Sequence, residues 1–544
     1  MTRPPRSAWP NRRQFLLQAL AAAAAAKSVA CGGSETSDTG DTGDTGDTSD
    51  TSDTSDTGGS TTDTPTTGEQ PVLPSDPFTL GIASGDPLPD SVILWTRLAP
   101  TPLELGGGMP PEPFTVTWEV ATDEAFGDIV TSGTADADPT FAHSVHVDVT
   151  SLSPDSWYWY RFKVGSYTSA AGRTRTTPAR DAKPETLRFA SACCQAYTDG
   201  YPAAYVHMQK EELDFVVFLG DYMYEGAATG PVRSHGTPEP MDIDGYRARY
   251  GLYKGQPELQ AMHQRCPWVF LWDDHEVENN YAGELPQAAD PNFLVRRAAA
   301  YQAFYEHMPL RLAPPTGADY KIYGTLDWGD LATFWLLDTR QYRDDQNCDD
   351  MPGPGCADWQ KYDGTLLGDE QEAWLEDGLQ SSAALWKVLT NQVVFSSVNF
   401  GGAFVNFDQW DGYPVARQRL LDFITAEALE NVIIISGDLH VGGVGDIGAI
   451  ADDEDSPVVA AEIVTTSISS ASIDDAEAVG GLVAGLKRIR HFNAISRGYV
   501  SHEVTRAQWK ISCFVIDTAD TPTSPGSVEA TLYVDVGVPG LRPA

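Results

Sequence analysis

Cys194, Asp221, Tyr224, Asp274, Asp438 and His440 combine residue types that metal chemistry needs. Carboxylate and imidazole are hard to borderline donors suited to divalent or trivalent ions, and the Asp438-x-His440 pair delivers both from one short segment. A Cys194 thiolate and a Tyr224 phenolate are softer and more basic, and together they favour a ferric ion over magnesium. His275, flanked by Asp274 and Glu276, reads either as a structural histidine or as a proton donor to a leaving oxygen beside such a centre. Other readings stay open for the parts taken singly. Asp-x-His also suits a surface loop, and Cys193-Cys194 also suits a vicinal disulfide or a buried thiol pair.

These residues become a site only if the chain brings them together, and the apolar runs before them show how. Leu187–Ala190 leads to Cys193-Cys194, Val216–Leu219 to Asp221, and Trp268–Trp272 to Asp273-Asp274-His275-Glu276. Trp386–Thr390 leads to Asn391-Gln392, and Val432–Ser436 to Gly437-Asp438-Leu439-His440. Short apolar runs bounded by Gly or polar residues predict buried strands, and α/β sheets place their chemistry at strand ends. With helical stretches such as Phe293–His307 between them, the alternation predicts a β/α domain over residues 185–540. Ahead of it, Phe78–Leu98, Phe114–Val120, Ser144–Val149 and Trp157–Val164 predict a small all-β sandwich over residues 78–178. The aromatic run Trp157–Tyr160 fits the alternating faces of a strand better than a carbohydrate-binding platform. A polar, Pro-containing linker is expected at Arg173–Lys183.

The chain has 544 residues, enough for two folded domains with appendages, and its 36 Lys+Arg against 77 Asp+Glu leave a net charge of -41. That balance argues against nucleic acid as a partner, because phosphate backbones require basic residues for neutralisation. An acidic protein that handles a phosphate ester needs bound cations. Residues 1–31 read as an address. Asn11-Arg12-Arg13-Gln14-Phe15-Leu16-Leu17 resembles a twin-arginine export motif, followed by an apolar stretch too short to span a membrane. Ser28-Val29-Ala30-Cys31-Gly32 resembles a lipoprotein cleavage box, with Cys31 as the lipid anchor and plain cleavage as the alternative. Residues 32–77 are a low-complexity tether: Asp-Thr-Gly and Asp-Thr-Ser triplets begin at Asp38 and offer almost nothing to bury. The expected location is therefore outside the cytoplasm, periplasmic or at the cell surface.

Leu187–Gln195, Phe218–Glu225, Trp272–Tyr281, Gly437–His440 and Arg497-Gly498-Tyr499 resemble the PhoD-like alkaline phosphatases, a branch of the calcineurin-like metallophosphoesterases. The sequence from Phe78 to Thr177 resembles that family's amino-terminal domain. The resemblance implies an α/β metallophosphoesterase β-sandwich flanked by helices, twin-arginine export, and a centre of Fe3+ and Ca2+. It implies that Asp221 bridges the ions, with Cys194, Tyr224 and His440 on the iron side and Asp274 and Asp438 on the calcium side. His275 would lie beside the substrate, and Arg497 would be a phosphate or structural contact. Cys194 is favoured over Cys193 because the family motif is Cys-Gln and only Cys194 precedes Gln195. The expected reaction is hydrolysis of phosphate mono- or diesters by metal-bound hydroxide. A phospholipase-D-like phosphodiesterase and a non-catalytic surface binding lipoprotein are the alternatives. Cys348 and Cys356 bracket a Pro/Gly-rich loop and are expected to pair, whereas Cys266 and Cys513 read as buried apolar residues.

Overall fold

The computed structural model describes residue 73, residues 75–350, residue 356, and residues 358–397, 406–473, 476–483 and 485–544. The export leader, Cys31 and nearly all of the 32–77 tether lie outside these residues. Among the described residues no helix is long and apolar enough to cross a membrane.

Strands Thr186–Ala192, Phe215–Phe218 and Trp268–Phe270 run parallel at the heart of one ten-stranded sheet. Strands Ala332–Leu336, Trp386–Thr390, Val432–Ser436 and Val458–Val464 run parallel in a seven-stranded sheet. Successive side chains of a strand point to opposite faces, so a continuous apolar run can be buried on both. Leu187, Phe189, Phe215 and Val217 of the first sheet pack against Phe334, Val388, Ile433 and Ile435 of the second. The alternate residues Val216 and Phe218 pack against Tyr246 and Tyr250 of helix Ile243–Lys254 and Tyr301 and Phe304 of helix Phe293–His307. On the far side, Leu389 and Ile434 pack against helices Asp369–Ser381 and Pro414–Ala426 through Leu375, Leu379, Leu420 and Ile424. The result is two facing sheets with helices outside each. Each fully buried Leu, Ile or Phe contributes about 1.5–3 kcal/mol through removal of apolar surface from water.

The amino-terminal β unit is less detached than its sequence suggests. Its strands Ile82–Gly85, Val92–Arg97 and Ser144–Val149 extend the ten-stranded sheet, with Gly85 opposite Trp268 in a parallel register. A Cβ at Gly85 would stand 2.6 Å from the Pro309 carbonyl oxygen and 2.7 Å from that of Trp268, so glycine permits this approach. A second sheet, from Phe114–Ala121, Ile129–Ala137 and Trp157–Val164, closes the unit over Val92, Leu94, Val116, Tyr160 and Phe162. In Trp157–Val164 every second residue is buried, and the Trp157 ring carries the Arg173 guanidinium 3.6 Å above its centre. The aromatic run is therefore strand alternation. The expected linker starts later than Arg173, because Gly172–Arg175 pairs as a strand with Trp157–Val164. Cys348 and Cys356 form a disulfide with a Cα separation of 5.8 Å, while Cys266 and Cys513 are free and buried.

Candidate metal centre

The parallel strands all deliver their ends to one edge of the stacked sheets, and there the chain turns sharply. Cys194, Asp221, Asp438 and His440 sit in the left-handed backbone region, with φ of 56°, 58°, 65° and 60°. Such residues cost on the order of 1–3 kcal/mol each and persist where surrounding contacts over-determine them. Glu276 provides such contacts: its buried carboxylate accepts the backbone N–H groups of Asp221 at 3.1 Å, Asp273 at 2.7 Å and Tyr222. One side chain thus ties the turn after Phe215–Phe218 to the turn after Trp268–Phe270. Gly220, at φ 107°, lets these turns meet, since a Cβ there would lie 2.5 Å from that of Asp273.

Ligand atoms of Cys194, Asp221 and His440 lie within 4.8 Å of one another, as do those of Asp221, Asp273, Asp274 and Asp438, and those of Asp221, Asp274 and His275. Asp221 belongs to all three groups. Tyr224 joins the first through its hydroxyl, 2.8 Å from Asp221 Oδ2 and 2.9 Å from His440 Nε2, and it accepts a hydrogen bond from Ser470 at 2.8 Å. His440 Nδ1 donates to the Ala471 carbonyl at 2.8 Å, which sets the tautomer and turns the Nε2 lone pair towards the cluster. Asp438 Oδ2 accepts from Gln409 at 2.6 Å, and Asp274 Oδ2 from the Asn280 N–H at 2.7 Å.

The donor set suits cations. Three carboxylates that are at most 1% exposed stand together, and like charges in a low-dielectric interior repel strongly unless neutralised. One side of Asp221 offers a thiol, a phenol and an imidazole; the other offers carboxylates. Burial, together with Cys193, Asp221 and Asp438, pushes the Cys194 thiol well above its ordinary value, a balance that a cation at that position reverses. Cys193, the neighbour, points its thiol elsewhere, towards the carbonyls of Thr465 at 3.4 Å and Thr466 at 3.7 Å.

His275 lies against this cluster, its ring centre 4.0 Å from that of Tyr224. Its Nδ1 is 2.6 Å from Glu225 Oε2, and the other oxygen of Glu225 accepts the Asn279 N–H at 2.9 Å. Burial disfavours the imidazolium, but Glu225, Asp221 and Asp274 raise the ring to about 10. Arg497 stands at the start of strand Arg497–Thr505, where its guanidinium donates to the carbonyls of Ser470 at 3.1 Å and Ile495 at 2.8 Å.

Several contributors carry no obvious mark in the sequence. Arg340, fully buried, forms ion pairs with Asp273 and Asp408 and lies 3.7 Å from Asp274 and 3.6 Å from Asp438. A signal for it existed, because Ala332–Leu336 is one more apolar run that ends in polar residues, Asp338-Thr339-Arg340. Glu225 and Glu276 stood inside the motifs but carried no metal-ligand pattern. Asp408 and Gln409 come just after residues 398–405, which lie outside the described residues, and nothing in the local sequence marks them.

The chain matches the family model for the PhoD-like phosphatase over residues 189–513 and that for the PhoD-like phosphatase N-terminal domain over residues 64–178. It is 45% identical over 486 residues to alkaline phosphatase D of Bacillus subtilis (strain 168), covering 87% of this chain and 83% of that protein. The solved structure of PhoD superposes with a TM-score of 0.83 at 44% identity, covering 87% of this chain and 93% of that one. With matches across both of its folded parts and a shared architecture, the chain belongs to the PhoD-like phosphatase family.

Proposed function

We propose that this protein is an exported, metal-dependent phosphatase that hydrolyses phosphate mono- or diesters at the cluster around Asp221. The observation that carries this reading is the shared position of Asp221 between two chemically different donor groups. Cys194, Tyr224 and His440 with Asp221 suit Fe3+, and Asp274 and Asp438 with Asp221 suit Ca2+. Ions held there neutralise the ester's oxygens and acidify the attacking water. The chain's own residues do the rest. Asp221 fixes the spacing of the two halves, and Glu276 fixes Asp221. Glu225 holds His275 by Nδ1, so that the opposite nitrogen carries a proton to the departing alcohol. Arg497 acts through the Ser470 carbonyl, steadying the residue that bonds the Tyr224 hydroxyl.

A second reading, a phospholipase-D-like phosphodiesterase, is favoured by one feature. An apolar cavity of about 90 Å3, lined by Val394, Leu439, Val444, Val479 and Phe492, shares Gln409 and Leu439 with the surroundings of Asp438. Metal analysis of the purified chain with assays on a monoester, a diester and a phospholipid decides between them. Iron and calcium with turnover of the simple esters is the expected outcome, and Tyr224→Phe is expected to weaken visible phenolate-to-iron absorption. Faster phospholipid turnover selects the second reading. No turnover on any of the three leaves a binding lipoprotein and overturns both.

Export rests on the Arg12-Arg13 leader, and anchoring on Cys31. Changing both arginines to Lys is expected to leave the precursor in the cytoplasm; unchanged export of that variant removes the twin-arginine assignment.

A further inference from the structure

Helix Pro414–Ala426 and strand Gly442–Gly448 border a cavity of about 40 Å3 whose lining includes Arg417, Asp446, Gly448, Glu454 and Arg488. It shares no lining residue with the ligand groups around Asp221. The Arg417 side chain is 1% exposed, and its Nη1 donates to Asp411 Oδ1 at 2.5 Å and to the Phe395 carbonyl at 3.3 Å. Its Nε and Nη2 are buried with no hydrogen-bond partner among the described residues. Asp452 Oδ1, 3.7 Å from that Nη2, is beyond hydrogen-bond reach and instead accepts from Ser397 at 2.5 Å. Arg488 spends its Nη2 on the carbonyls of Asp453 at 2.8 Å and Ser456 at 2.6 Å, which leaves its buried Nε without a partner. Gly448 makes room for this side chain, since a Cβ there would lie 2.5 Å from Arg488 Nη2. The acids of the lining are engaged elsewhere. Asp446 accepts from Arg490 Nε at 2.7 Å and from the Leu541 N–H at 2.7 Å, and Glu454 Oε1 accepts the Lys487 N–H at 2.9 Å.

We propose that this cavity is a second, non-catalytic site that binds inorganic hydrogen phosphate. Buried donors without acceptors are rare in native proteins, and those that do occur call for a water or an ion. Here they belong to two guanidinium groups. Nε and Nη2 of Arg417 form one edge of its planar fork, the edge that takes two oxygens of one tetrahedral anion by parallel, charge-assisted bonds. Arg488 Nε offers a further donor to the same space. A cavity of this size has room for about three water molecules, which admits a free oxyanion and excludes an organic phosphate ester. Glu454 selects among oxyanions. Hydrogen phosphate carries one O–H that a carboxylate accepts, whereas sulfate carries none at neutral pH and meets that carboxylate only as a like charge. The site goes beyond the hydrolytic reading and does not depend on it, although hydrolysis of a monoester would release this very anion nearby.

Inorganic phosphate, titrated by calorimetry into the full Asp221→Ala chain, tests this with the catalytic cluster dismantled. One phosphate per chain is expected, with sulfate at least about tenfold weaker. In the same background Arg488→Met is expected to weaken phosphate binding at least about tenfold. Arg417→Lys keeps a cation beside Asp411 but lacks the guanidinium edge, and it is expected to weaken phosphate binding by at least about as much. An Asp221→Ala chain that binds no phosphate overturns the site, because water then suffices for the buried nitrogens. Sulfate bound as tightly as phosphate overturns it too, as does either arginine variant that stays within about threefold of its background. If Arg417→Lys does not fold, Arg488→Met decides alone, since that side chain is only partly buried. Loss of ester hydrolysis in the wild-type chain would count against the catalytic reading only, and phosphate binding that depends on Arg488 stands whether or not the chain turns over esters.

Discussion

The Asp221→Ala chain is expected to lose phosphate-ester hydrolysis and bound metal together. The drop in rate should be well beyond about 100-fold, the upper end of what removing a residue one step away from a metal costs. Asp221 is the member common to every ligand-distance group, so its loss opens both halves at once. The substitution also withdraws the acceptor of the Tyr224 hydroxyl, 2.8 Å away, and disturbs the pair that Tyr224 forms with His440. The fold should survive, because the backbone N–H of residue 221 keeps its bond to Glu276 and the Phe215–Phe218 strand keeps its partners on both sides. The measurement is metal content and turnover on the same preparation, with circular dichroism as the control. Wild-type turnover in a folded, metal-bearing Asp221→Ala protein would remove the centre from consideration.

His275→Ala carries the second large effect. Loss of a positioned general acid costs about 10²–10⁴-fold, and the cost falls on esters whose alcohol cannot leave as an anion. An alkyl ester should therefore suffer most, and a nitrophenyl ester, whose phenolate leaves unaided, should suffer least. Glu225 on one nitrogen and the Tyr224 ring against its face fix the orientation of the imidazole. A merely structural histidine would slow both esters alike, and that equal slowing is the result that would refute the acid role.

Chain direction and hydrophobic pattern make the stacked sheets legible from the amino-acid order. Thr186–Ala192, Phe215–Phe218, Trp268–Phe270, Trp386–Thr390 and Val432–Ser436 all coincide with apolar runs that end in chemistry-bearing residues. The helix Phe293–His307 falls at its expected bounds. The pairing of Cys348 with Cys356 is readable for a different reason, since eight residues of sequence separation keep the thiols near each other whatever the rest of the chain does. The continuity between the amino-terminal unit and the ten-stranded sheet is not legible, because it depends on Gly85 meeting Trp268 far along the chain.

Local pattern carries the chemistry on offer: carboxylates, imidazoles, a thiol and a phenol at the ends of buried strands, in a protein with a net charge of -41. It suffices for that because strand burial is written in a run of five or six residues. Tertiary packing supplied the rest. It separated Cys193 from Cys194 through a left-handed turn that sends one thiol towards the Thr465 and Thr466 carbonyls and brings the other beside Asp221 and His440. It also brought Arg340, Asp408 and Gln409 to Asp273 and Asp438 across large sequence separations. Such contacts are set by how two sheets stack and how their loops cross, which no window of neighbouring residues encodes.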